Sequence, residues 1–374
     1  MSESIQIDNM HFYWRIKENA DTHNPFSSFI KTTLFHDKHD GILKIEADEN
    51  YWKMMNEMYA LEENVGYLQP GHDLAIPYGD EYLEFINRHL MNNRRICDVG
   101  AGGLYVISKL KTQGYSVMAV DPSQESKING ISMNLEVISQ FYEDVDLRNE
   151  GIDAFIHYDV LEHVKEPLRF LEKHYRELED DGTIIFAVPD CTIPIRNGDI
   201  SMLLAQHVNY FDSKTLSKNV KEAGFDVIEI CSSKYGGVLF CSAKKKKKNK
   251  QDNLPKLIDY RNFFELAQDK MKYVTKYFEK ATEKNQKIGL YIPLRIFPYI
   301  SNFIDYHNLV FIDDSSYFKG KYFDGFTMQI QDITNVVSHL DSVVIFSPAF
   351  GEKIKHKLLK HPEFKGNVIS WEYQ

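Results

Sequence analysis

The stretch CDVGAGGLYVISKLKTQGYSVMAVDPS, residues 97–123, decides the fold that the sequence predicts. An apolar segment leads to Asp98, a glycine cluster and a helix-type pattern follow, and a second apolar segment ends at Asp121. This order is typical of a strand, a turn, a helix and a second, parallel strand, whose two strands end at the same edge of a sheet. The sequence therefore predicts a ligand site in which a glycine turn lies between two acids.

The glycine turn restricts the kind of ligand. Gly100 and Gly102 fit the dinucleotide pattern G-x-G-x-x-G, but Tyr105 stands where that pattern has its third glycine. Asp98 would repel a pyrophosphate, whereas it suits a ligand with a positive end. S-Adenosylmethionine (SAM) carries an ammonium group and a sulfonium and no phosphate, and Asp121 can accept hydrogen bonds from ribose hydroxyls. The alternative is an ordinary tight turn that binds nothing.

Patterns on both sides of this stretch predict a three-part α/β protein. Strand and helix patterns alternate up to residue 243, which indicates parallel strands with helices on both faces and an antiparallel hairpin at one edge. A helix is predicted over residues 51–68, a loop over 69–79, and a helix over 167–180 that ends at Asp181 and Gly182. The predicted parts are an N-terminal cap, a SAM-binding core, a lysine-rich linker and a smaller C-terminal α/β domain, at 1–88, 89–243, 244–255 and 256–374.

Composition and charge exclude several classes of protein. A net charge of -10 argues against a general nucleic-acid binder, which needs a basic face. The four cysteines are scattered without a C-x-x-C pair, so neither disulfides nor a zinc site is expected. His36 and His39 have no third ligand nearby and are expected in an exposed loop, so no metal is predicted. Without a signal-peptide pattern or a long apolar run, a cytoplasmic protein is expected.

Four segments, CDVGAGG, VDPS, IDAFIHYDVLEHVKEP and LEDDGTIIFAVPD, follow one another in the order and spacing of a known family. Over residues 90–243 they resemble class I SAM-dependent methyltransferases, although Leu104 replaces the usual third glycine. The resemblance implies a Rossmann-like core and a SAM site formed by Asp98, Gly100, Gly102, Gly103, Asp121, Tyr158 and Asp159. Phe141 and Tyr142 are candidates for adenine neighbours or for core aromatics. Glu162 and His163 could be an acid/base pair, but a structural role is favoured for His163.

A second resemblance is to the bacterial sugar C-methyltransferases. It is carried by LLAQHVNYFDSKTLSKNVKEAGFDVIEI and by segments such as SVVIFSPAFGEKIKHKL, and it covers residues 90–374. It implies a nucleotide-linked keto-sugar as the acceptor, with His207 at the position of the family's motif histidine. Gln206 stands where the family has glutamate, and Leu204 where it has tyrosine. The family's zinc-binding cysteines are missing from residues 1–88, and PLRIFP at 293–298 replaces a glycine-rich turn.

The sequence thus predicts SAM-dependent methyl transfer to a small acceptor, either a nucleotide-linked sugar or a related saccharide. His207 is the candidate general base, because an imidazole titrates near neutral pH; a packed structural histidine is the alternative. Gln206, Asp190 and Tyr210 are candidates for substrate contact, and Tyr78 could close over SAM. O- or N-methylation of another metabolite, and a non-catalytic partner subunit that binds SAM, remain open.

Overall fold

A computed structural model describes residues 3–13, 15–22, 24–61, 75–90, 95–246, 259–302 and 307–371. The N-terminal elements are β1 (Ser4–His11), β2 (Phe29–Asp37), β3 (Ile42–Ile45), α1 (Glu49–Leu61) and α2 (Ile76–His89). The first central elements are β4 (Arg95–Val99), α3 (Tyr105–Thr112), β5 (Ser116–Val120), α4 (Gln124–Ser132), β6 (Glu136–Ile138), β7 (Ile152–Tyr158) and α5 (Pro167–Glu177). The remaining central elements are β8 (Leu178–Pro189), α6 (Thr192–Asn197), β9 (Asn209–Tyr210), α7 (Ser213–Glu222), β10 (Phe225–Ser232) and β11 (Val238–Lys245). The C-terminal elements are α8 (Arg261–Glu283), β12 (Ile288–Tyr291), β13 (Leu309–Ile312), α9 (Ile333–Val336), β14 (Ser342–Ile345), α10 (Gly351–Leu359) and β15 (Asn367–Ser370).

The central sheet has seven strands in the order β10-β11-β8-β7-β4-β5-β6. Strands β4 to β8 pair in parallel, and β10 and β11 form an antiparallel hairpin at one edge, as the sequence predicts. Helices α2 and α3 cover one face through Phe85, Ile86 and Ile107, whereas α5 and α7 cover the other through Phe170 and Leu216. The chain order reverses between β4 and β7, and in such sheets ligands bind outside the carboxyl ends of the strands at the reversal.

The N-terminal region forms an antiparallel sheet, β1-β2-β3-β9, which the sequence analysis did not predict. Its fourth strand comes from the centre of the chain: Leu43 pairs with Tyr210, and the Ile45 N–H donates to the Val208 carbonyl at 3.1 Å. His36 lies in β2 against the Tyr260 ring, at 4.5 Å between centroids, and not in the expected loop. The N-terminal sheet therefore holds the segment that carries His207.

The C-terminal sheet is parallel, with the order β13-β12-β14-β15. One of its faces shares a hydrophobic core with the N-terminal sheet and α8, in which Ile7, Phe264 and Phe311 are buried. The Asp324 carboxylate accepts hydrogen bonds from Lys17 and Asn24, which ties the two terminal regions together. These contacts pack the cap and the C-terminal domain against each other.

Two predicted helix boundaries are wrong. Helix α2 begins at Ile76, with Pro77 in its first turn where a missing N–H costs no hydrogen bond, so residues 76–79 are helical and not a loop. Helix α5 ends at Glu177, because Leu178 already pairs with Ile152 in the sheet. Asp181 and Gly182 therefore belong to an irregularity within β8 and do not end the helix.

The start of the predicted linker also needs correction. Lys244 and Lys245 belong to β11, and the Lys244 ammonium lies 3.3 Å from the Asp181 carboxylate. Residues 247–255 of the linker, like 62–68 of the predicted helix and 69–74 of the predicted loop, lie outside the described residues. Among the described residues, no helix combines the length and the apolar character needed to cross a bilayer.

Candidate active site

The glycine turn lies at the carboxyl end of β4, beside the chain reversal. Gly100 and Gly102 have φ values of +67° and +50°, which glycine adopts without a steric penalty. A Cβ atom on Gly100 would lie 2.6 Å from Cγ2 of Val160, which follows β7. The turn therefore needs glycine both for its backbone angles and for the close approach of the neighbouring strand end.

Leu104 stands where the resembled family has its third glycine, and it keeps the backbone conformation that is typical of glycine. Leu104 has a φ of +61°, directly before α3, and its side chain is fully buried against the central sheet. The left-handed region costs a residue with a Cβ roughly 1–2 kcal/mol. Burial of the leucine side chain offsets this cost, since a fully buried leucine is worth about 1.5–3 kcal/mol. Gly103, the neighbouring predicted residue, is buried within the turn.

Asp121, at the end of β5, fixes the glycine turn from the side. Its carboxylate accepts the Gly102 N–H at 2.9 Å, and it also accepts the N–H and hydroxyl of Ser123, at 2.9 and 2.5 Å. The carboxylate thus joins the two predicted strand ends by direct hydrogen bonds. Contact between Asp121 and the ribose of SAM stays a prediction.

Asp98 is buried at the end of β4, and no hydrogen bond to its carboxyl comes from the described residues. Burial, with a smaller effect from Asp121, raises the pKa of Asp98 well above its usual range. A buried carboxylate is stable only when a cation or hydrogen-bond donors compensate its charge. The arrangement therefore fits a ligand that brings a positive group to this point, as the ammonium end of SAM does.

The end of β7 forms the other side of the turn. Asp159 has a φ of +54°, a strained angle for a residue with a side chain, and burial raises its pKa to about 7. Tyr158 lies against the Tyr82 ring, with centroids 5.2 Å apart. Tyr158 and Asp159 stand at the chain reversal as predicted, and their contact with SAM stays a prediction.

The aromatic candidates occupy different environments. Tyr142 is a core residue, because it is buried and its hydroxyl donates to Glu177 at 2.7 Å. Phe141, after β6, is only partly buried, so an adenine contact by Phe141 stays a prediction. Tyr78, in the first turn of α2, packs against Tyr235 of the β10–β11 hairpin, at 5.2 Å between ring centroids.

A histidine cluster follows Asp159 in the same loop. Glu162 and His163 meet His207, and the His163 and His207 rings are perpendicular with centroids 4.8 Å apart. Helix α5 begins only at Pro167, so Glu162 and His163 lie in the loop and do not open the helix. The loop is held in place because the Glu162 carbonyl accepts the N–H groups of Val208 and Asn209, at 2.8 and 3.0 Å.

Burial controls the protonation of this cluster. It lowers the pKa of His207 well below its usual range, with smaller contributions from His163 and Arg295, and it lowers the pKa of His163 to about 4. Burial raises the pKa of Glu162 well above its usual range, and the Asp159 charge raises it further. Both imidazoles are therefore neutral at pH 7, each with a lone pair available.

The predicted substrate residues have different surroundings. Asp190, at the end of β8, accepts the Thr192 N–H at 2.9 Å and the Ser232 hydroxyl at 2.8 Å. Gln206 is mostly buried, and its carbonyl contacts His163 Nδ1 at 2.9 Å. Tyr210 is buried in β9 with its hydroxyl bonded to the Leu204 carbonyl, so no structural contact favours its role in substrate binding.

The sequence analysis missed Arg295 as a site residue. It lies in the PLRIFP segment after β12, and its guanidinium donates to the Ser201 carbonyl at 3.3 Å. Its positive charge contributes to the lowered pKa of His207, after burial and His163. The sequence did contain a signal for this residue, because PLRIFP departs from the pattern of the sugar C-methyltransferases at this place.

We expect Gly100→Ala to cost more stability than Gly114→Ala. Both glycines have positive φ, but nothing lies within 4 Å of a Cβ on Gly114. Gly114→Ala should cost roughly 1–2 kcal/mol from the backbone angle alone. Gly100→Ala should cost about 1–3 kcal/mol more from the clash with Val160, and it should weaken binding of S-adenosylhomocysteine. Urea unfolding of both variants tests this expectation. Equal losses of unfolding free energy would contradict the close approach of Val160 to Gly100.

Comparisons with known proteins agree with this geometry. Residues 72–230 match the family model of a methyltransferase domain. A SAM-dependent methyltransferase from Clostridium acetobutylicum is 12% identical with a TM-score of 0.38, covering 46% of this chain and 91% of its own. One from Mesorhizobium loti is 13% identical with a TM-score of 0.38, covering 43% and 96%. Such low scores say nothing about the acceptor, and no curated protein matches the sequence. Residues 72–230 thus match a methyltransferase domain and contain the parallel strands and the glycine turn of the central sheet.

Proposed function

We propose that this enzyme transfers the methyl group of SAM to a small saccharide acceptor, with a nucleotide-linked sugar as the first candidate. The observation that carries the proposal is the position of His207. Its neutral, partly buried imidazole lies beside a loop that continues directly from Asp159 at the predicted SAM site. A proton acceptor and an electrophilic methyl group would then meet in one cleft.

Each residue of the proposed site has a separate role in the reaction. When bound, SAM supplies a methyl group on a positively charged sulfur. Asp98 would hold the ammonium end, and Asp121, with the Gly102 N–H that it fixes, would hold the ribose side. His207 would take the proton of the acceptor's O–H, or of the C–H next to a ketone, while the acceptor atom forms its bond to the methyl carbon and the sulfur leaves with the former bonding pair. Alignment of these groups supplies much of the rate increase.

Arg295 supports an acceptor that carries phosphate. A guanidinium whose charge reaches His207 suits a phosphate oxygen, because its planar donors match phosphate geometry. The resemblance to sugar C-methyltransferases points to the same class. Gln206 and Leu204 replace two side chains of that family, so transfer to oxygen is a second outcome within the proposal.

A methyl-transfer assay with a panel of acceptors tests the proposal. The wild-type protein is incubated with isotopically labelled SAM and with nucleotide-linked keto-sugars, ordinary nucleotide sugars, free sugars and small amines. We expect label in a nucleotide-linked sugar, and the product's NMR spectrum then identifies carbon or oxygen as the methylated atom. Transfer to an amine alone would replace the saccharide class, and no transfer by protein that binds SAM would favour a non-catalytic subunit.

A further inference from the structure

We propose that Glu162, His163 and His207 form a binding site for one divalent transition-metal ion, with Zn²⁺ as the best candidate. Each residue offers one ligand atom, and these atoms lie within 4.8 Å of one another. The sequence alone predicts no metal, because His36 and His39 have no third ligand nearby in the chain. Here the third ligand comes from a loop more than forty residues further along the chain.

The carboxylate of Glu162 needs a partner that the described residues do not supply. The residue is fully buried, and neither of its carboxylate oxygens accepts a hydrogen bond there. Nε2 of His163 lies 3.7 Å from Oε1, which is too long for a hydrogen bond. A buried acid in this state is stabilised by a bound cation or by a proton of its own.

The imidazole of His163 presents a lone pair to the same point. Its Nδ1 lies 2.9 Å from the Gln206 carbonyl oxygen, which can only accept, so Nδ1 carries the hydrogen. The Tyr59 hydroxyl contacts the same nitrogen at 2.9 Å. Nε2 of the neutral ring is therefore an acceptor and faces Glu162. Donation from the second ring nitrogen to a backbone carbonyl is the usual way in which a metal-binding histidine is oriented.

His207 is the third ligand of the proposed metal site. The structure gives its ring an aromatic contact with His163 and no hydrogen bond from the described residues. Three groups that can each offer one ligand atom thus converge. The backbone that carries them is fixed, since Val208 and Asn209 donate to the Glu162 carbonyl and the Asn209 amide donates to the Val164 carbonyl at 2.7 Å.

The ligand types select the kind of metal. Two imidazoles with one carboxylate suit Zn²⁺ and related transition metals, whereas Mg²⁺ and Ca²⁺ prefer oxygen ligands alone. Metal–ligand distances of about 2.0–2.2 Å require the ligand atoms to be roughly 3.3–3.5 Å apart. Rotation of the side chains on the fixed backbone must therefore bring the ligand atoms closer by up to about 1.5 Å. Three protein ligands would leave a coordination position open to an acceptor oxygen.

This inference changes one step of the proposed function, on which its catalytic meaning rests. In the metal-bound protein His207 is a ligand, so it does not take the acceptor's proton. A divalent ion instead lowers the pKa of an oxygen bound to it, and the proton leaves to solvent. Metal dependence of the transfer therefore separates the two roles of His207.

Calorimetric titration of metal-depleted protein with ZnCl₂ tests the site. We expect one Zn²⁺ per chain, no comparable heat with MgCl₂, and binding weakened by about 100-fold or more in Glu162→Gln and His207→Ala, because each removes one of three ligands. The control His356→Gln changes an exposed histidine of α10 and should bind as the wild type does. Titration with Co²⁺ adds a visible spectrum that reports coordination by nitrogen and oxygen.

The same protein is titrated with S-adenosylhomocysteine, so that failure of the metal site and failure of the proposed function can be distinguished. Binding of S-adenosylhomocysteine without Zn²⁺ binding would overturn the metal site, would leave His207 as a free base, and would indicate a proton on Glu162. Zn²⁺ binding that persists in both ligand variants would also overturn it. Zn²⁺ binding without S-adenosylhomocysteine binding would keep the site and reject the methyl-transfer function.

Discussion

Replacing His207 with alanine should lower methyl transfer by a factor of about 10² to 10⁴, the usual contribution of a positioned acid–base group. The loss follows whether the ring takes the acceptor's proton or holds a metal ion that acidifies the acceptor. Affinity for S-adenosylhomocysteine should stay within about threefold of the wild type, because the predicted cofactor contacts come from the ends of β4 and β5. Single-turnover assays with labelled SAM measure the first quantity, and equilibrium dialysis measures the second.

A matched control excludes a general effect of losing a histidine. His356→Gln lies on an exposed face of α10 and should keep full turnover. Thermal unfolding should show that His207→Ala is folded, since its ring makes few contacts that hold the core. Full turnover in His207→Ala would show that His207 has no role in the mechanism. Loss of S-adenosylhomocysteine binding in the same variant would show that His207 belongs to the cofactor site.

Asp98→Asn should strongly weaken cofactor binding and stabilise the ligand-free protein. The amide keeps the shape of the carboxyl but cannot compensate the ammonium group, so affinity for S-adenosylhomocysteine should fall by at least about 100-fold, the range of a buried charge pair that loses one member. At neutral pH, ligand-free stability should rise by roughly 0.5–2 kcal/mol, as is common when a strained functional group is removed.

The sign of the pH dependence follows from the raised pKa of Asp98. Because the folded pKa exceeds the unfolded value of about 3.9, the folded state holds the proton more tightly. The associated stability is therefore complete below the unfolded pKa and is lost as pH rises through the folded pKa. Asp98→Asn should show a smaller decrease in unfolding free energy between pH 5 and pH 8, measured by urea unfolding. An unchanged pH profile would contradict the buried, uncompensated carboxyl.

The central part of the fold is predictable from sequence because its information is local. Each strand and the helix after it are neighbours in the chain, so the apolar segments before Asp98 and Asp121 and the glycines between them place the sheet and its ligand edge together. Element ends are less certain: Leu178 continues a helical pattern, but it joins β8 because Ile152 offers a strand partner.

The N-terminal sheet and the histidine cluster depend on distant contacts. Strand β9 has two residues, and it is a strand only because β3 lies beside it, so its sequence carries no period. Similarly, His163 meets His207 because the Glu162 carbonyl binds the N–H groups of Val208 and Asn209. No spacing rule contains that information, which explains why the sequence analysis treated His163 as structural and found no ligand set.

Calorimetric titration of wild-type protein with S-adenosylhomocysteine, in two buffers of different ionisation enthalpy at the same neutral pH, tests the central claim most directly. We expect one ligand per chain. We also expect a heat of binding that differs between the buffers, because the ligand's ammonium group expels the proton from Asp98. Absence of binding to folded protein would contradict the claim. Binding with identical heats would contradict the contact between Asp98 and the ammonium group.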